Sequence, residues 1–120
     1  MGTEVLTADG YGEAVAGPGI VLVDFRTGRS GSSRAFSAVF DAAAGRYPDL
    51  RFAAVDTGAE EALTAGLGVR SAPTLMVYRD GVLVFAEPGW LPADSLDVLV
   101  DTIRALDMPA VRALYPEPLR

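Results

Sequence analysis

The sequence predicts an α/β domain, a central mixed sheet of five strands flanked by helices on both faces. Three observations point to it. Residues 20–25 form an apolar run interrupted only by Asp24, the pattern of a strand buried on both sides. Residues 30–47 and 92–106 repeat apolar side chains at helical spacing. Asp80-Gly81, set between two apolar segments, is a two-residue hairpin signal. Strand–helix units that favour parallel pairing come first and an antiparallel hairpin follows, which makes the sheet mixed.

Each element has a local reason. Residues 3–6 supply a short first strand, and residues 8–16 a helix weakened by Gly10 and Gly12. Gly17-Pro18-Gly19 punctuates before the apolar run. Ser30 is the expected N-cap of the next helix, in which Phe36, Phe40, Ala43 and Tyr47 make a core-facing stripe before Pro48-Asp49 ends it. Residues 51–55 read as a strand. Residues 59–65 read as a short helix whose Glu60 and Glu61 suit the positive end of the helix dipole. Residues 71–78 form a strand entered through Pro73, and the hairpin turn leads into residues 82–86, which Pro88-Gly89 breaks. Leu96, Leu99, Val100 and Ile103 share one face of the last amphipathic helix. From Met108, prolines at 109, 116 and 118 imply a short helical turn and a loose end. The expected division is a domain over residues 1–107 and a C-terminal tail over residues 108–120.

At 120 residues, half of them hydrophobic, the chain is long enough for a single core without metals or disulfides. It contains no Cys, His, Lys, Asn or Gln. Without His or Lys, no Ser-His-Asp, Ser-Lys or Schiff-base arrangement forms within the chain. Without His or Cys, no zinc, copper or iron–sulfur site is expected, and residues 56–61, though acidic, lack the calcium-loop spacing. No metal and no cofactor are therefore expected. The net charge of −6 argues against nucleic-acid binding. No apolar run approaches a membrane span, and the first residues lack a signal-peptide pattern, so a cytoplasmic protein with no membrane contact is the expectation. Against the acidic background, residues 26–34 hold Arg26, Arg29 and Arg34 and no acid.

The segment 20–34, Ile-Val-Leu-Val-Asp-Phe-Arg-Thr-Gly-Arg-Ser-Gly-Ser-Ser-Arg, resembles the strand, turn and helix start that carry the Trp-Cys-Gly-Pro-Cys motif of the thioredoxin family. Val69-Arg70-Ser71-Ala72-Pro73-Thr74-Leu75 is similar to the segment around that family's cis-proline, Asp80-Gly81-Val82 to its following turn, and Gly89 to the glycine beside the substrate groove. The resemblance spans residues 3–107 and implies a thioredoxin-like fold. Position by position, Ser30 and Ser33 take the attacking and resolving places, and Asp24 matches the buried acid that assists proton transfer in active members. Pro73 matches the cis-proline, and Ala72 the residue whose backbone pairs with a bound extended peptide. The departures are several. Arg26 and Arg29 stand at tryptophan positions, Ser32 replaces the proline between the cysteines, and Ala38 replaces a helix-bending proline. Ala54 stands where many members have a lysine beside the buried acid, so Asp24 is expected to lack a cationic partner and to resist ionisation.

A serine hydroxyl neither ionises readily nor forms a disulfide, so the chain keeps a redox scaffold without its chemistry. The expected function is a redox-inactive, assembly-type or chaperone-like module that binds a peptide segment of a partner protein. Its expected surface comprises Arg26, Arg29, Ala72, Pro73, Gly89 and Trp90, the only tryptophan. Arg26 and Arg29 with the helix start also suggest a small-anion site. Two alternatives stand beside this reading. In one, the chain is a Cys-to-Ser variant of a protein-disulfide reductase, attacking from position 30 and resolving from position 33. The departures at Arg26, Thr27, Gly28, Arg29, Ser32 and Ala38 weigh for a natural inert member instead. In the other, a glutathione-type transferase uses Ser30, whose bland counterpart is helix capping.

Overall fold

The computed structural model describes residues 2–115. Five strands, β1 (Glu4–Val5), β2 (Ile20–Arg26), β3 (Arg51–Asp56), β4 (Thr74–Arg79) and β5 (Val82–Pro88), form one sheet in the order β1-β3-β2-β4-β5. β1, β3 and β2 run parallel, while β4 is antiparallel to β2 and β5 to β4. The helices are α1 (Ala8–Ala16), α2 (Gly31–Arg46), α3 (Glu61–Gly66), α4 (Ala93–Arg104) and α5 (Met108–Ala113). The mixed five-stranded sheet and its helical layers match the thioredoxin-like expectation.

Strand pleating sorts the core into two layers. Val21, Val23 and Phe25 of β2 pack with Tyr11, Ala14 and Val15 of α1 on one face, where Leu63 of α3 closes over them. Ile20 and Leu22 point the other way, onto Phe36 and Phe40 of α2 and Leu96, Val100 and Ile103 of α4. This two-sided burial explains why β2 reads as a continuous apolar run. Burying each of these large side chains contributes about 1.5–3 kcal/mol relative to exposure. Tertiary burial also explains α1, which forms over its full expected length despite two glycines.

Several boundaries differ from expectation for local reasons. β4 begins three residues later, because Ala72–Pro73 is cis and Thr74 Oγ1 donates back to the Ser71 carbonyl at 2.7 Å. α3 starts at Glu61, because the Asp56 carboxylate accepts the Gly58 and Ala59 amides and holds that stretch as a turn. The Glu60 carboxylate accepts the Ala8 amide rather than serving the α3 dipole. β5 runs through Pro88, which an edge strand tolerates because one side needs no N–H. The hairpin turns on Asp80 (φ 52°) and Gly81 (φ 83°), the paired positive angles of a type I′ turn. Beyond residue 107 the expected helical turn is α5, with Met108 buried and Arg112 donating to the Asp80 carbonyl at 2.8 Å. The expected loose end, residues 116–120, lies outside the described residues. No helix among the described residues is long and apolar enough to cross a membrane.

Candidate functional site

The site lies at the carboxyl ends of β2 and β3, where open α/β sheets leave a crevice between departing loops. Ser30 precedes α2 in extended conformation and caps it, its Oγ accepting the Ser33 amide at 3.3 Å. Its Oγ also lies 3.0 Å from the exposed Ser32 hydroxyl. Ser33 is fully buried, and its Oγ accepts the Thr27 amide at 2.9 Å. Both hydroxyls at the family's redox positions thus serve the backbone of the loop and helix start. Capping, the bland reading of Ser30, is what the geometry shows.

Asp24 is completely buried on β2, paired in register with Ala54 of β3 and Leu75 of β4. The expectation that it lacks a cationic partner is corrected by Arg26. Residues two apart on a strand share a face, and Arg26 reaches back so that Nε donates to Asp24 Oδ2 at 2.9 Å. Ser37 of α2 adds a longer bond to the same oxygen at 3.3 Å, whereas Asp24 Oδ1 has no partner among the described residues. Burial pushes the Asp24 carboxyl up to about 6, and the Arg26 charge and hydrogen bonds from Arg26 and Ser37 only partly offset this. The cationic partner of Asp24 thus comes from its own strand, as Arg26, and not from position 54 on β3.

The same geometry removes Arg26 from the expected anion-binding and partner surface. Its Nη2 donates to Asp41 of α2 at 2.8 Å, and its guanidinium lies 5.9 Å from the Phe40 ring centre. A guanidinium shared between two carboxylates has little left for an external anion. Asp41 and Ser37, the partners that settle this, carried no motif in the sequence. The Asp24-x-Arg26 spacing was the available signal.

Around Pro73, the carbonyl of that residue accepts the Gly89 amide at 2.8 Å, and Gly89 adopts φ 110°, open to glycine and costly for other residues. This bond ties the end of β5 to the start of β4. The backbone N–H and C=O of Ala72 make no hydrogen bond among the described residues. Trp90, next to Gly89, is 48 % exposed and is not core filling. An open cleft of about 620 Å³ lies between the loops after β2 and β3 and the segment before β4, and brings Arg29 together with Ala72. Arg26, Gly89 and Trp90 do not line it. Arg70 and Thr64 do, and neither was singled out from the sequence.

Comparison with known proteins agrees with this architecture. The family model described as thioredoxin matches residues 2–103. A protein of Streptomyces coelicolor named "Putative thioredoxin 2" is 39 % identical over 115 residues, covering 96 % of this chain and 86 % of its own length. The thioredoxin of Chlamydia muridarum is 30 % identical over 97 residues, covering 81 % of this chain and 94 % of its own. A chain solved in work on thiol resolution in yeast mitochondrial 1-Cys peroxiredoxin via glutathione/thioredoxin systems superposes with a TM-score of 0.74. At 21 % identity, covering 82 % of this chain and 94 % of that one, it speaks for the fold alone. With the family model spanning most of the sequence and the sheet, caps and cis-proline in place, this chain belongs to the thioredoxin family.

Proposed function

We propose that this thioredoxin-family protein is redox-inactive and holds an extended segment of a partner protein beside Ala72 and Pro73, as an assembly or chaperone-like factor of the cytoplasm. The chemistry of exchange is missing from the chain: it has no cysteine, and the two hydroxyls at the redox positions cap a helix and a loop. The observation that carries the reading is the free backbone of Ala72. The unpartnered N–H and C=O of this half-buried residue, next to the Pro73–Gly89 bond that ties the start of β4 to the end of β5, offer an edge onto which an extended strand adds. Trp90, adjacent to Gly89, is a half-exposed aromatic, the residue type that anchors interfaces.

Trp90 also supplies the assay, because it is the sole tryptophan. Peptides selected from a random displayed library are titrated against the protein while its fluorescence is followed, and insulin reduction is measured in parallel with dithiothreitol. The reading expects saturable peptide binding and no insulin turnover above the dithiothreitol background. Turnover above background overturns the redox-inactive half, and a library that yields no binder overturns the recognition half.

A further inference from the structure

Of the nine arginines among the described residues, seven are occupied. Arg26, Arg46, Arg51 and Arg104 hold carboxylates, Arg34 the Gly28 carbonyl, and Arg79 the carbonyls that end α4, while Arg112 reaches the Asp80 carbonyl. Among the described residues, only the guanidinium groups of Arg29 and Arg70 make no hydrogen bond, ion pair or aromatic contact, and both border the same cleft. They come from different segments, the loop after β2 and the approach to β4, so the fold and not chain proximity brings them there.

Acids border the cleft too, which makes the free arginines more informative. Asp56 is turned onto the Gly58 and Ala59 amides, and Glu61 stands in the first turn of α3, where the helix dipole favours it. Neither pairs with Arg29 or Arg70. A third feature belongs to the wall itself. Thr64 of α3 lines the cleft, is only 9 % exposed, and its Oγ1 has no partner among the described residues. Buried hydroxyls are ordinarily satisfied. The Thr64 oxygen is itself shielded from solvent, so the donor set facing the cleft is the two unclaimed arginines, which match an oxyanion.

We infer that the cleft bordered by Arg29 and Arg70 selects partner segments carrying an Asp or Glu side chain or a C-terminal carboxylate. This inference rests on the peptide-binding reading, since Ala72 lines the same cleft and its free backbone places an extended segment alongside. The selection belongs to this chain's own residues, because Arg29 stands where an aromatic would give an apolar wall. Exposed guanidinium–carboxylate pairs are individually weak, so each arginine contributes a few-fold and the two together about ten-fold in affinity.

The test compares a library-selected peptide containing Asp or Glu with its Asn or Gln counterpart, by calorimetry, on the wild-type chain and on the double variant Arg29→Ser, Arg70→Ser. Both side chains are exposed and make no hydrogen bond or ion pair among the described residues, so the variant keeps the fold, which circular dichroism checks. The wild type is expected to prefer the acid about ten-fold, and the double variant less than about two-fold. An equal preference in wild type and variant overturns the inference while leaving peptide recognition intact. Absence of any peptide binding sinks recognition itself and the inference with it. Inorganic phosphate titrated alone separates a third case: if it binds through the two arginines while acid and amide peptides bind equally, the cleft is a small-anion site and the inference fails.

Discussion

Replacing Asp24 by Asn converts the buried carboxyl into a group that cannot ionise, and the consequence follows from its surroundings. Moving the midpoint from the ordinary 3.8 to about 6 corresponds to about 3 kcal/mol between the protonated and ionised folded states. The sign is set by linkage. Below pH 3.8 the carboxyl is protonated in both folded and unfolded chains and burial costs nothing extra. Between pH 4 and 6 the unfolded chain ionises first, so the contribution of Asp24 to stability falls. Above pH 6 the full cost is present. Glu4 and Asp97 act oppositely: hydrogen bonds from Arg51, and from Arg46 and Tyr47, hold their carboxyls below the ordinary range, so their contributions are lost as pH falls. Both proteins carry those groups, and comparing them cancels the background. Urea denaturation at pH 3.5 and 7.5 therefore gives a stability difference, Asp24→Asn minus wild type, that grows by about 3 kcal/mol between the two. Any constant packing cost of the amide drops out of that change. A difference that is the same at both pH values, or that moves toward wild type as pH rises, refutes the claim that burial outweighs the Arg26 pair.

Three further outcomes follow from the same geometry. Arg26→Met removes the cation that partly offsets burial, so the Asp24 midpoint rises above about 6 in a carbon-13 NMR titration; an unmoved midpoint means the pair is not made. Ser30→Ala loses the N-cap of α2 and about 1 kcal/mol, and Ser33→Ala strands the Thr27 amide at a cost of about 1–3 kcal/mol. Denaturant midpoints unchanged in both variants contradict the capping roles. Trp90→Ala changes stability by less than about 0.5 kcal/mol, as expected for a half-exposed side chain, while weakening the selected peptides in calorimetry; a large loss of stability instead marks Trp90 as packing.

The fold was legible because its strongest signals are periodic and redundant. The run at 20–25 is buried by helices on both sides, and Asp80-Gly81 adopts the turn its residue types require. The candidate site was legible only where one residue type has one job, as with Ser30 at a helix start or Gly89 at a positive φ. The Arg26–Asp24 pair is legible in the spacing of one strand, whereas the Arg26–Asp41 pair is set by tertiary structure. Asp41 lies fifteen residues away, and nothing in its own segment distinguishes it from a solvated helix acid. Arg70 carries no sequence signal for the same reason: its significance is that neighbours fail to claim it, and this is visible only once the neighbours are known.

Most direct is the amide resonance of Ala72 in a nitrogen-15 NMR titration with a selected peptide. Recognition through the edge beside Pro73 predicts that the Ala72 amide shifts and becomes protected from solvent exchange, with Ser71 and Gly89 moving alongside. A peptide that binds tightly while the Ala72 amide stays unshifted and freely exchanging contradicts the account.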